Sequence, residues 1–187
     1  MGIYVLVAIV AVLITGIALI YNRLVRLRNM VREGWSGIDV QLKRRATLIP
    51  NLVETVKGYM GHERNLLTEI TDLRTRSLRS EKVPEKGEIE SALSRSLGSL
   101  MAVAEGYPDL KASQNFLELQ KELSDIEEQI QMARRFYNGT VRDLNIAVES
   151  FPSNMVASFF KYEQAEFFAI DDTNDRQVPQ VVFGGQK

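Results

Sequence analysis

Cysteine is absent from this chain and histidine occurs once, at His62. Those two scarcities exclude thiol nucleophiles, disulfides, cysteine-based zinc sites, His-pair metal centres and lipid attachment through a thiol. Proline is withheld until Pro50, so nothing before it forbids one uninterrupted helix. Charge is missing as well: the first twenty-two residues carry no charged side chain, and Ile3 to Tyr21 read IYVLVAIVAVLITGIALIY. No Gx4GK[ST], HExxH or GxSxG pattern occurs, which leaves a catalytic reading without a nucleophile–base pair or a phosphate loop. His62 lies between Gly61 and Glu63 in a polar turn and reads as a solvated or capping residue.

The uncharged run predicts a membrane anchor over residues 1–22. About twenty apolar residues at a rise of about 1.5 Å each cross a hydrocarbon core about 30 Å thick. A cleaved signal peptide fits less well, because no basic segment precedes the run, the run is long for such a peptide, and no A-x-A-like site follows it. Arg23, Arg26, Arg28 and Arg32 crowd its C-terminal flank. By the positive-inside tendency, the remainder of the chain is expected in the cytoplasm of a single-pass membrane protein. The same four arginines are candidates for contact with anionic lipid headgroups. Between Arg23 and Ile49 seven Lys/Arg face two acidic residues, a net +5 in a chain of net −1, so the rest carries −6.

After the anchor, helical periodicity dominates. One apolar track runs Leu24, Val31, Ile38, Arg45, Leu52 and Tyr59; its companion runs Trp35, Leu42, Ile49 and Val56. Gly34 and Gly37 weaken this helix locally, and Pro50 must bend it or leave a hydrogen bond unmade. A second seam is longer: Phe116, Leu123, Ile130, Tyr137, Leu144 and Phe151 recur every seven residues, with Leu119, Ile126, Ala133, Thr140 and Ala147 beside them. Heptads of this kind are the seam of coiled-coil-like helix packing, with Glu118, Lys121, Glu122, Asp125, Glu127, Glu128, Arg134 and Arg135 on outward faces.

Two shorter helices are expected between the long ones, the first through Leu66, Leu67, Ile70 and Leu73, the second from Ile89 to Ala104. Pro84 and Gly87 read as breaks in the polar run between them, and Gly106 as a C-cap. A terminal helix is expected over Asn154 to Glu166 after Pro152. The predicted fold is all-α: a transmembrane helix continuing into an antiparallel up-and-down, four-helix-type bundle over residues 23–168, with an extended tail over 169–187. In that tail Asp171, Asp172 and Asp175 lack the central glycine and terminal glutamate of an EF-hand, and read as an acidic loop. QVPQVVF (Gln177 to Phe183) is an apolar strip expected to dock on the bundle.

Polar residues on or near the seams are the remaining candidates. Arg45, Asn51, Asn138 and Asn145 either pair internally, with one another or with the backbone broken at Pro50, or line a polar groove for a peptide or headgroup.

The segments YNRLVRLRN (Tyr21 to Asn29), LIPNLVETVKGY (Leu48 to Tyr59), YPDLKAS (Tyr107 to Ser113) and ARRFYNGTVRDLN (Ala133 to Asn145), followed by Pro152, resemble the LemA family. The likeness covers nearly the whole chain and is weakest over Arg76 to Glu90. It implies a helical bundle behind one N-terminal anchor in a bacterial membrane protein without an established catalytic activity. It also implies association with membrane-organelle formation and with neighbouring membrane proteases. A scaffold or adaptor is the expected function, with direct binding or shaping of an anionic membrane as the alternative. Expected partners are lipids, another membrane protein such as a protease, or a second copy of the chain; no nucleic acid, cofactor or metal is expected.

Overall fold

A computed structural model of the chain describes residues 1–61 and 63–169. His62, the aspartates at 171, 172 and 175, and the strip Gln177 to Phe183 lie outside the described residues. Six helices, α1 (Gly2–Lys57), α2 (Arg64–Arg79), α3 (Val83–Ala104), α4 (Pro108–Lys111), α5 (Gln114–Glu149) and α6 (Ser153–Phe159), make up the described fold, with no strand among the described residues. It is the all-α, up-and-down arrangement expected from the periodicity.

α1 has 56 residues and runs through Pro50 without stopping, a length of about 84 Å. Its apolar first third is a candidate membrane anchor, since none of that window is buried in the protein. Proline removes the N–H that would bond the Ala46 carbonyl four residues earlier. Arg74 of α2 supplies the missing donor, its Nε lying 2.6 Å from the Ala46 oxygen.

α5 lies antiparallel along α1, and both seams close between them. Leu24, Ile38, Leu42, Ile49, Leu52 and Val56 of α1 are buried, as are Phe116, Leu123, Ile126, Ile130, Tyr137, Leu144 and Ala147 of α5. Gly34 permits the approach: a Cβ there would stand 3.1 Å from the Tyr137 Cα. Tyr59 and Phe151 leave their tracks, being 43% and 80% exposed, and Met60 takes the inward place near Tyr59.

The core has three sections along this pair. Farthest from the anchor, α2, α3 and α4 pack on α1 and α5 through residues such as Ile70, Leu93, Leu100 and Leu110. In the middle, Ile38, Ile130, Tyr137 and Val141 meet Phe168. Beside the anchor, Leu24, Leu144 and Ala147 meet Val156, Ala157 and Tyr162.

Three expectations about element ends are corrected. α3 begins at Val83 rather than at Ile89, with Pro84 in its first turn, where a missing N–H costs nothing. Gly106 is not a left-handed cap; the helix closes at Glu105, and the Gly106 N–H bonds the Val103 carbonyl at 2.9 Å. The terminal helix stops at Phe159, and residues 162–169 return without helix along α1 and α5.

Candidate functional site

Arg45 occupies an apolar heptad place and is buried, so its guanidinium must be met by acceptors. Nη1 donates to Glu127 Oε2 and to Ser94 Oγ, each at 2.7 Å, and Nη2 pairs with Glu90 Oε2. Ser77 Oγ donates to the other Glu90 oxygen. Arg45 and Glu90 are each 1% exposed, and Glu127 opens the cluster to solvent at 37%. Four helices are thus joined by one ionic knot, where removing a single partner costs about 3–5 kcal/mol. Nearby, Asp39 receives Lys43 at 2.6 Å and Lys86 at 3.1 Å. Burial pushes the Asp39 carboxyl up, but hydrogen bonds and charge from Lys43 and Lys86 outweigh it and hold the group below its usual value.

Asn138 and Asn145 are used differently, as a pair of backbone clamps. Asn145 takes the Ala165 N–H at 2.8 Å and gives to the Ala165 carbonyl at 3.0 Å. Asn138 does the same for Phe168, at 3.0 and 3.1 Å. The register has a simple origin. Seven helical residues rise about 10.5 Å, and three residues of extended chain reach about 10–11 Å, so a heptad of amides matches every third residue of the return segment. Tyr162, Ala165 and Phe168 accordingly turn inward, and Phe168 sits against Trp35 and Tyr137 with ring centroids 5.7 Å away for Trp35. The Tyr137 hydroxyl donates to the Glu166 carbonyl at 2.8 Å.

Asn51 joins neither arrangement; it is exposed on α1, and the carbonyl freed by Pro50 belongs to Arg74 instead. Arg23, Arg26, Arg28 and Arg32 are all exposed beyond the apolar run, and the Arg28 guanidinium lies 4.9 Å from the Tyr162 ring centroid. Glu54, Glu63 and Glu69 form no carboxylate cluster: they are engaged apart from one another, with Lys57, the Tyr107 hydroxyl and Ser96 respectively.

Residues 34–183 of the chain match the LemA family. The chain belongs to that family. Among its LemA-family relatives, Protein LemA of Metamycoplasma hominis is 31% identical over 138 residues, covering 73% of this chain and 63% of that protein's length. Magnetosome protein MamQ of Magnetospirillum gryphiswaldense is 22% identical over 196 residues, 90% of this chain and 72% of the relative. Magnetosome protein MamQ 2 of Paramagnetospirillum magneticum is 23% identical over 184 residues, 84% and 68%. In this LemA-family chain the segment from Ala133 to Asn145 supplies both asparagine clamps and Tyr137.

Glu90, Glu127, Arg74 and Lys86 escaped the sequence reading. Glu127 reads as an outward residue beside Ile126, yet its carboxylate turns in to Arg45. The signal was Arg45 itself: a cation in an apolar track demands acidic partners on the facing helices.

Proposed function

We propose that this protein is a non-enzymatic, membrane-anchored scaffold or adaptor that works through protein contacts beside the bilayer. The observation that carries this reading is α1, one helix that is both candidate anchor and core of the bundle. A bundle joined to its anchor in this way is held at a fixed height and attitude. The ionic knot and the asparagine clamps support the reading, because their polar groups spend themselves on holding four helices and the return segment in one register. The bundle faces the cytoplasm of the inner membrane, on the strength of the arginines that follow the apolar run. Crosslinking in intact cells at native expression, followed by mass spectrometry, tests it: a recurring membrane-protein partner or self-crosslink is expected. Neither appearing would overturn the proposal.

A second reading is favoured by one specific observation, the exposure of Arg23, Arg26, Arg28 and Arg32 at the foot of the bundle. Such a collar attracts anionic headgroups by about 1 kcal/mol per side chain near the surface. In the full chain reconstituted in vesicles, a spin label at Asn29→Cys, beside the collar, should be less mobile on anionic than on neutral lipid, and the difference should fade as salt rises. A label indifferent to both would reject direct headgroup binding.

A further inference from the structure

α6 has its faces inverted for a helix in water. Val156 and Ala157 are buried under the bundle, as they should be. The outward side of α6 carries Met155 and Phe159, spaced at i and i+4 and 66% and 80% exposed, and Phe151, in the turn before the helix, is 80% exposed. A surface helix places polar residues there. Here no charged side chain occurs from Ser150 to Phe160.

The position of α6 explains the inversion. An apolar trough of ≈ 660 Å³ opens between α1 and α6, with Val12, Gly16 and Ile17 on one wall and Pro152, Met155 and Phe159 on the other. These α1 residues belong to the candidate membrane span, and Gly16 is seven residues, about 10 Å, before Arg23 along the helix. A bilayer that covers the span therefore covers α6 too. Just above it stands the band expected at a headgroup boundary: Tyr21 against Phe160 at 4.7 Å and Tyr162 at 6.3 Å, Arg28 over Tyr162, and exposed Arg23, Arg26 and Lys161. The depth is that of an interfacial helix, about 5–10 Å into the boundary between headgroups and acyl chains.

We propose that α6, with Phe151 before it, is a second membrane element immersed in the leaflet nearest the bundle, its occupant being lipid acyl chains. The inference rests on α1 being a membrane anchor. It assigns contact to the hydrocarbon rather than to the headgroup charge, so it stands apart from the arginine collar. The bundle is then pinned to the bilayer at two places, the span and the α5–α6 corner. Because the return segment starts at α6, the clamped residues Ala165 and Phe168 are tied to that second point.

The chain has no native cysteine to remove. Full-length Met155→Cys, Phe159→Cys, Val7→Cys in the span and Lys121→Cys far along α5 are each given a nitroxide label in phospholipid vesicles. Collision with oxygen, which concentrates in hydrocarbon, and with a water-soluble nickel chelate is then measured. The expected result is a high oxygen-to-nickel ratio at 155 and 159, shifted to the value at 7 and away from that at 121. Nickel access at 155 and 159 with position 7 still shielded would overturn the proposal and leave the anchor standing. Low collision with both reagents would also overturn it, since another polypeptide would then cover the stripe. Nickel access at position 7 would overturn the anchor and this proposal together.

Discussion

Gly87 and Gly37 both lie inside helices and face opposite constraints. Ordinarily, replacing a helix-interior glycine by alanine stabilises by about 0.5–1 kcal/mol, through lower backbone entropy in the unfolded chain. Gly37 has nothing within 4 Å of where a Cβ would stand, so Gly37→Ala should follow that rule. A Cβ on Gly87 would collide with the Ala169 carbonyl oxygen, a backbone atom that cannot swing aside. Gly87→Ala should therefore reverse the sign and destabilise by about 1–3 kcal/mol, with faster hydrogen exchange at the Phe168 amide. Denaturant unfolding of the two variants side by side decides it; equal gains would refute the contact. Tyr137 offers a pH test of the same segment. Burial, then the charge of Glu166, pushes its hydroxyl above the ordinary value of 10.0. A raised folded-state value means that its contribution is fully present below the unfolded value and fades as pH rises through the folded one. Wild type should exceed Tyr137→Phe in stability at pH 8, and the gap should close in the alkaline range above about pH 10. A gap that persists there would show that the hydroxyl's ionisation is not coupled to folding.

α1 survives Pro50 because α2 repairs it, and this can be measured as a coupling between two helices. Arg74→Ala leaves the Ala46 carbonyl without a donor and should cost about 1–3 kcal/mol. In a Pro50→Ala background the new N–H takes that carbonyl, so the same change at Arg74 should cost distinctly less. A double-mutant cycle showing no coupling would mean that Arg74 acts elsewhere. The repair also marks where sequence stops being informative. The two seams were legible because helical period is local, and Leu24 to Val56 and Phe116 to Ala147 close as the heptads require. The start of α3 was not, because proline breaks a helix interior yet suits a first turn, and Gly87 answers to Ala169 far along the chain. Nor was the end of α6: the return segment is as rich in apolar residues as a helix, and only its inward turn every third residue separates the two. Asn138 and Asn145 could be singled out as polar residues near a seam, while their partners, the backbone of Phe168 and Ala165, carry no side-chain signature at all.

At the scale of the whole molecule, the continuity of α1 fixes more than distance; it fixes which side of the span faces the bundle. Leu24 locks the helix to α5 and α6, while Gly16 and Ile17 stand in the trough beside Met155. With each residue turning the helix by about 100°, any change of length between those points must rotate the span by a known amount if the join is rigid. Inserting two alanines between Asn22 and Arg23 should bring Ala18 to the place that Gly16 now holds. Crosslinking of Met155→Cys with a short thiol-specific bis-maleimide, able to span the trough, should then move from Gly16→Cys in the native length to Ala18→Cys in the lengthened chain. A flexible join predicts something else: α6 would keep its preferred partner, and the crosslink would stay at Gly16→Cys in both. The shift separates a platform whose attitude is set by its own span from a domain that merely trails behind an anchor, and a scaffold of the kind proposed requires the first.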